Sequence, residues 1–309
     1  MRGAFQPPIG PFTLPIARWM VISAPGGTVL DQPEFGQGGD RGWLQRMSML
    51  SALRPERARP QVPAGQRVYA IGDVHGRLDL LLPLLAQIRD DIAARAPMDN
   101  HVVLLGDLID RGPYSAETLE YVIGGLPDFA TFQVLMGNHE EAMLRALDPD
   151  ADNSGNPWLR FGGYEALASY GVPVATLGEE LPPAETLRRY IPERHRSFLA
   201  GLAHAARFGD YLFVHAGVRP GVPIEQQSPA DLRSIRQEFL DHPGDHGACV
   251  VHGHSISTEP DIRPNRIGID TGAFRTGTLT ALGLEGEHRW LLCASAVDGE
   301  VQTKLSSLG

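Results

Sequence analysis

Cysteine is nearly missing from this chain of 309 residues: there are two, Cys249 and Cys293, and no CxxC spacing. A disulfide scaffold is therefore not expected, and a reducing, cytoplasmic location is. Cys249 opens an apolar run and reads as a buried packing thiol. Positive charge is also in short supply. Lys and Arg number 27 against 37 Asp and Glu, a formal net charge of −10. That argues against non-specific nucleic-acid or anionic-membrane partners, both of which call for a basic surface. No apolar run approaches the roughly 18 residues of a membrane-spanning helix. The stretch Trp19-Met20-Val21-Ile22 is short and flanked by Pro15 and Arg18, so it does not read as a secretion leader. The remaining composition, 42% hydrophobic and 21% charged, suits a soluble domain with a sizeable core. Phosphorylated substrates stay open, because a metal site reverses the field around it.

Residues 1–66 are rich in Pro, Gly and Arg and hold no sustained period, so a low-complexity, disordered extension is expected there. A translation start at Met47 or Met49 is a second reading of the same stretch. From Arg67 a domain is expected to run to residue 309. Val68–Ile71, Val102–Leu105, Phe132–Met136, Tyr211–Val214, Cys249–Val251 and Arg266–Ile269 read as short strands buried on both faces. Helices are expected over Asp79–Ala96, Ala116–Ile123 and Glu140–Leu147, between and after the first three strands. The alternation is the α/β signature, with functional groups expected on loops at the carboxyl ends of strands. Leu279–Leu284 and His288–Ala294 resemble a β-hairpin. Residues 148–207 read as a substrate-side cap beside the site rather than part of the sheet.

The strand ends carry a series of polar motifs. Gly72-Asp73-Val74-His75-Gly76 comes first, then Gly106-Asp107-Leu108-Ile109-Asp110-Arg111-Gly112, then Gly137-Asn138-His139-Glu140. His215-Ala216-Gly217 and His252-Gly253-His254 follow. Taken singly, each has an ordinary explanation: Gly-Asp is a common turn, a lone His is more often structural than a ligand, and Asn-His-Glu could cap a helix. Together and in order, after successive strands, they point to a site of carboxylate, imidazole and amide oxygen donors. Such a set suits divalent manganese, iron or zinc, and the glycines allow close backbone approach to a phosphate.

These motifs resemble the PPP family of metallophosphatases, whose pattern is GDxHG, GDxxDRG and GNHE followed by two later histidines. The likeness is greatest to its short bacterial and phage branch, of the bacteriophage lambda type, and covers about Val68 to Ala294. It implies a four-layer α/β sandwich, two mixed β-sheets flanked by helices, with two divalent metal ions, manganese first among the candidates. By position, Asp73 and His75 would hold one ion, Asp107 would bridge, and Asn138, His215 and His254 would hold the second. His254 rather than His252 fits the family's glycine-histidine position. Arg111 would bind the phosphate, with a second arginine, Arg236 or else Arg233, downstream. His139 would be the general acid, oriented by Asp110. Asp270 reads as supporting or structural, and Trp158-Leu159-Arg160-Phe161-Gly162-Gly163 as cleft lining or packing. His195, His204, His242 and His246 read as surface residues.

The implied activity is attack of a metal-bridging hydroxide on phosphoserine or phosphothreonine in a protein partner, with phosphotyrosine also open. A diadenosine tetraphosphate hydrolase is the alternative; that subgroup typically lacks the carboxylate that Asp110 supplies here. A silent scaffold and a phosphodiesterase rank lower, because all six ligand positions and the Asp-Arg-Gly element are intact.

Overall fold

The computed structural model describes residues 59–308 apart from 154–156 and 178–180. The expected leader-like stretch, the alternative starts and most of the expected extension lie outside the described residues. Residues 59–65 were expected to belong to that extension, yet they are tied to the domain. Val62 is buried, its N–H donates to the Gly286 carbonyl at 3.0 Å, and the Gln61 N–H donates to the Asp210 carboxylate at 3.0 Å. Two prolines hide the segment's single buried apolar anchor from a search for periodicity.

The first sheet has the order β11-β10-β9-β1-β2-β3. One half is β1 (Gln66–Ile71), β2 (Asp99–Leu104) and the edge strand β3 (Thr131–Val134), mutually parallel. The crossovers are α1 (Leu78–Ala93) and α2 (Ser115–Gly124); α3 (Asn138–Ala146) follows β3. On the other side of β1 lie β9 (Thr278–Glu285), β10 (His288–Val297) and β11 (Glu300–Leu308), all antiparallel. The second sheet has the order β4-β5-β6-β8-β7. Here β5 (Tyr211–Val214), β6 (Cys249–His252) and β8 (Arg266–Gly268) are parallel, with β4 (Ala205–Phe208) and β7 (Asp261–Ile262) antiparallel at the edges.

Strand periodicity explains the layering. Val68 and Ala70 of β1 meet Tyr211, Phe213, Val251 and Ile267 between the sheets, while Tyr69 and Ile71 pack outward on Leu80, Leu81, Leu84 and Ile88 of α1. Leu212, Val214 and Val250 face the other way, onto Leu232 of α7 (Pro229–Ser234), Phe239 of α8 (Gln237–Leu240) and Ile235 in the short link between them. Helix, sheet, sheet, helix is the expected four-layer arrangement. Burial on both faces is what turned these strands into continuous apolar runs.

The block expected as a cap divides. Its helices α4 (Gly163–Ser169), α5 (Ala184–Leu187) and α6 (Glu193–Ala200) place Leu167, Leu187 and Leu199, with Trp158, in the same core cluster as α1. Its last residues depart from the expectation, because β4 is a strand of the second sheet. Gly209, at φ 58°, reverses the chain so that Ala205–Phe208 pairs antiparallel with β5.

Candidate metal centre

The expected ligands converge at one edge, past the carboxyl ends of β1, β2, β3, β5 and β6. Six non-glycine residues among those described have positive φ, and five are His75, Asp107, Asp110, Arg111 and His254. Such a concentration of strained backbone marks a site rather than a turn. The glycines make room: a Cβ on Gly253 would stand 2.0 Å from Asp73 Oδ1, and one on Gly137 would stand 2.1 Å from Asp107 Oδ1.

Two of the imidazoles are oriented from behind. His75 Nδ1 donates to the Ile109 carbonyl at 2.8 Å and His215 Nδ1 to the Leu105 carbonyl at 2.9 Å, which leaves each Nε2 facing inward. Those Nε2 atoms lie 3.6 and 3.4 Å from Asp107 Oδ2. His215 Nε2 is also 3.0 Å from Asn138 Oδ1. His254 Nε2 is buried with no hydrogen-bond partner, an orphaned donor atom at the centre of the group. Asp73 accepts the His254 N–H on both oxygens, at 3.1 and 3.0 Å. Ligand atoms of Asp107, His215 and His254 come together in one cluster, and those of His75, Asp107 and His139 in another. Asp107 belongs to both, as a bridging ligand must.

Burial and the neighbouring charges set the protonation of the site. Burial, then the negative charge of Asp270, holds the Asp73 carboxyl well above its usual range. Burial opposes ionisation of Asp107 as well, but the imidazoles of His215 and His139 outweigh it and hold Asp107 well below. Burial also disfavours charge on His215, yet Asp107 and Asp73 raise it to about 10. Burial pushes His75 down to about 3, and burial with the His215 charge pushes His254 down to about 2. A buried carboxylate kept ionised by a protonated imidazole, beside unprotonated imidazoles and an orphaned nitrogen, fits a nitrogen-and-oxygen site for divalent ions.

Beside this cluster His139 Nδ1 donates to Asp110 Oδ2 at 2.6 Å, and Trp158 Nε1 donates to the same oxygen at 2.8 Å. Burial opposes protonation of His139, but the carboxylates of Asp107 and Asp110 raise its pKa above the ordinary value. Its Nε2 lies 3.8 Å from Asp107 Oδ2 and 3.1 Å from Arg111 Nη2. The Arg111 guanidinium lies over the Phe274 ring, 4.6 Å from its centroid. Arg233 is engaged elsewhere, by Glu141 and by His204 Nδ1 at 3.2 Å. Arg236 is exposed and close enough that its charge helps depress His254. A cleft of about 430 Å³ opens beside Asn138 and His139, lined also by Arg145, Trp158, Phe161 and Ser234.

Two residues named from the sequence only within longer motifs have contacts that the sequence did not foretell. Glu140 is fully buried, and its carboxylate accepts the N–H groups of Gly137 (2.9 Å), Asp107 (2.8 Å), Leu108 (2.7 Å) and Ile109 (3.4 Å). It ties the loops after β2 and β3 together beneath the ligands; its place at the third position of α3 was the one available signal, and that signal is shared by any capping glutamate. Trp158 carried no signal for its bond to Asp110. Asp270 is buried against Asp73 and accepts the Gly272 N–H at 2.9 Å. His195, read as a surface residue, is 2% exposed. Tyr170 Oη, 2.8 Å from its Nδ1, and Glu120, 2.8 Å from its Nε2, enclose it from distant segments.

The chain is 28% identical over 231 residues to the asymmetrical bis(5'-nucleosyl)-tetraphosphatase PrpE of Bacillus velezensis, 68% of this chain and 86% of that one. It is 28% identical over 224 residues to serine/threonine-protein phosphatase 2 of Salmonella typhimurium, 70% of this chain and 91% of that one. A symmetrical bis(5'-nucleosyl)-tetraphosphatase of Yersinia pestis is 38% identical over 109 residues, 30% of this chain and 35% of that one. The family model for calcineurin-like phosphoesterases matches residues 66–273, from the first residue of β1 to Ala273 just past the Asp270 loop. The chain belongs to the calcineurin-like phosphoesterase family, and is a metal-dependent hydrolase of phosphoesters.

Proposed function

We propose that this phosphoesterase is a protein phosphatase of the bacterial PPP type, removing phosphate from phosphoserine and phosphothreonine, with phosphotyrosine a further substrate. The observation that carries this reading is the pair His139 Nδ1 to Asp110 Oδ2, at 2.6 Å within a fully buried carboxylate. A serine or threonine alkoxide is a poor leaving group and needs a proton as the P–O bond breaks. His139 is charged by Asp110 and delivers that proton from Nε2. Arg111, planar and paired with no carboxylate among the described residues, donates to the equatorial phosphate oxygens in bidentate fashion, and Arg236, between α7 and α8, supplies the second guanidinium.

Asp73, His75 and the bridging Asp107 would hold one divalent ion, and Asp107, Asn138, His215 and His254 the other, manganese being the first choice. Bound there, the ions would lower the pKa of a water and offset the charge of the phosphate. The second reading, a dinucleoside tetraphosphate hydrolase, is favoured by the likeness to the Bacillus and Yersinia enzymes. The deciding experiment measures phosphate release by manganese-reconstituted protein from phosphoserine and phosphothreonine peptides and from diadenosine tetraphosphate. Faster turnover of the peptides is expected. Preference for the dinucleotide would overturn the protein-phosphatase reading.

A further inference from the structure

We infer that Trp158 is a positioning residue for proton donation, its indole N–H fixing the Asp110 oxygen that orients His139. The inference rests on the reading of His139 as the acid.

Asp110 Oδ2 carries two donors, His139 Nδ1 at 2.6 Å and Trp158 Nε1 at 2.8 Å. Its other oxygen, Oδ1, is buried and has no hydrogen-bond partner. All the holding of this carboxylate therefore passes through one oxygen. With only His139 on it, the carboxylate could turn and the imidazole could tilt with it. A second donor from a separate segment, 48 residues along the chain, fixes the plane. The indole is 1% exposed and its ring is walled in: a Cβ on Gly163 would come within 2.9 Å of it.

The same turn also reaches the phosphate-binding side. The Arg111 N–H donates to the Gly162 carbonyl at 3.1 Å and its Nε to the Phe161 carbonyl at 3.3 Å. Gly162 has φ +114°, and a Cβ there would stand 2.5 Å from the Arg111 nitrogen. Asp110 and Arg111 both have positive φ, at 72° and 69°, and so depend on neighbours to hold them. Residues 158–162 supply such neighbours to both. A tryptophan that only filled the core would need some acceptor for its N–H. Any carbonyl would serve for that, and its loss would fall equally on every substrate.

That difference is the test. Manganese-loaded protein is assayed on 4-nitrophenyl phosphate, whose leaving group needs little protonation, and on phenyl phosphate, whose leaving group needs more. In Trp158→Phe, kcat on phenyl phosphate is expected to fall about 10–100-fold, as for lost outer partners of active-site groups. The fall on 4-nitrophenyl phosphate should be much smaller, with KM and metal content unchanged. His139→Asn is the reference and must show the same bias more strongly. If His139→Asn loses equally on both esters, the acid reading fails. If His139→Asn shows the bias and Trp158→Phe does not, the positioning inference is overturned while the acid reading stands. Should Trp158→Phe fail to fold, benzothienylalanine at position 158 keeps the fused ring and removes only the N–H. The same bias is expected from it, and equal or no loss overturns the inference.

Discussion

Asp73, His75, Asp107, Asn138, His215 and His254 each sit at or just beyond a strand end, and main-chain groups hold most of them. The Ile109 and Leu105 carbonyls orient two imidazoles, the His254 N–H grips Asp73, and Glu140 locks four loop N–H groups. Asp110, Arg111 and His139 are held differently. Their supports are Ser115 Oγ, the indole of Trp158 and the carbonyls of Phe161 and Gly162, which come from the second crossover helix and the 158–162 turn. The first half of the site is fixed by the sheet edge, the second by a turn packed against it. Metal binding and proton donation should therefore be separable by mutation.

The largest effect would come from breaking the first half outright. Chelation should abolish phosphate release, and manganese should restore it; activity surviving exhaustive chelation would contradict a metal centre. Next is His139→Asn, expected to lower turnover about 10³-fold while both ions stay bound, checked by elemental analysis beside kinetics. Because His139 Nε2 lies 3.8 Å from Asp107 Oδ2, in one cluster with His75 and Asp107, loss of metal in this variant would make it a ligand and erase the division. Arg111→Ala should cost about 10–100-fold in kcat/KM, the worth of hydrogen bonds from a charged donor. Arg236→Ala should cost less than that and more than Arg233→Ala, whose guanidinium is occupied by Glu141; the reverse order would reassign the second phosphate-binding arginine. The smallest effect on rate is expected from Glu140→Gln, which replaces one acceptor oxygen with a donor. It should lower stability by about 1–3 kcal/mol, read as a fall in Tm, and weaken metal binding before it slows the loaded enzyme.

The same division governs what could be read from the residues alone. The candidate ligands were legible because each lies near the end of an apolar run and within two residues of a glycine, a local pattern repeated in order. The four layers came by resemblance, since short runs buried on both faces look alike whichever sheet they join. Trp158 and Asp110 are 48 residues apart and Glu120 and His195 are 75 apart, so nothing local foretold either contact. His195 lies off the strand ends and so read as a surface residue. Strand β11 was missed for a further reason: at the sheet edge most of its residues are exposed, so Glu300–Leu308 carries little apolar alternation.

Five side-chain-bearing residues held in the left-handed region leave a mark on the protein beyond its chemistry. Each such residue costs roughly 1–2 kcal/mol relative to ordinary backbone, a substantial fraction together of the roughly 5–15 kcal/mol that keeps a typical domain folded. The architecture therefore carries a stability–activity trade-off in its main chain. A glycine at His75 or His254 would relax the backbone while removing a ligand, and a chain drifting toward inactivity would gain robustness as it did so. Bound ions would run the other way, because they would favour the strained arrangement and stabilise it by an amount that grows with the logarithm of their concentration. Thermal resistance in this protein should therefore report on how well its site is loaded.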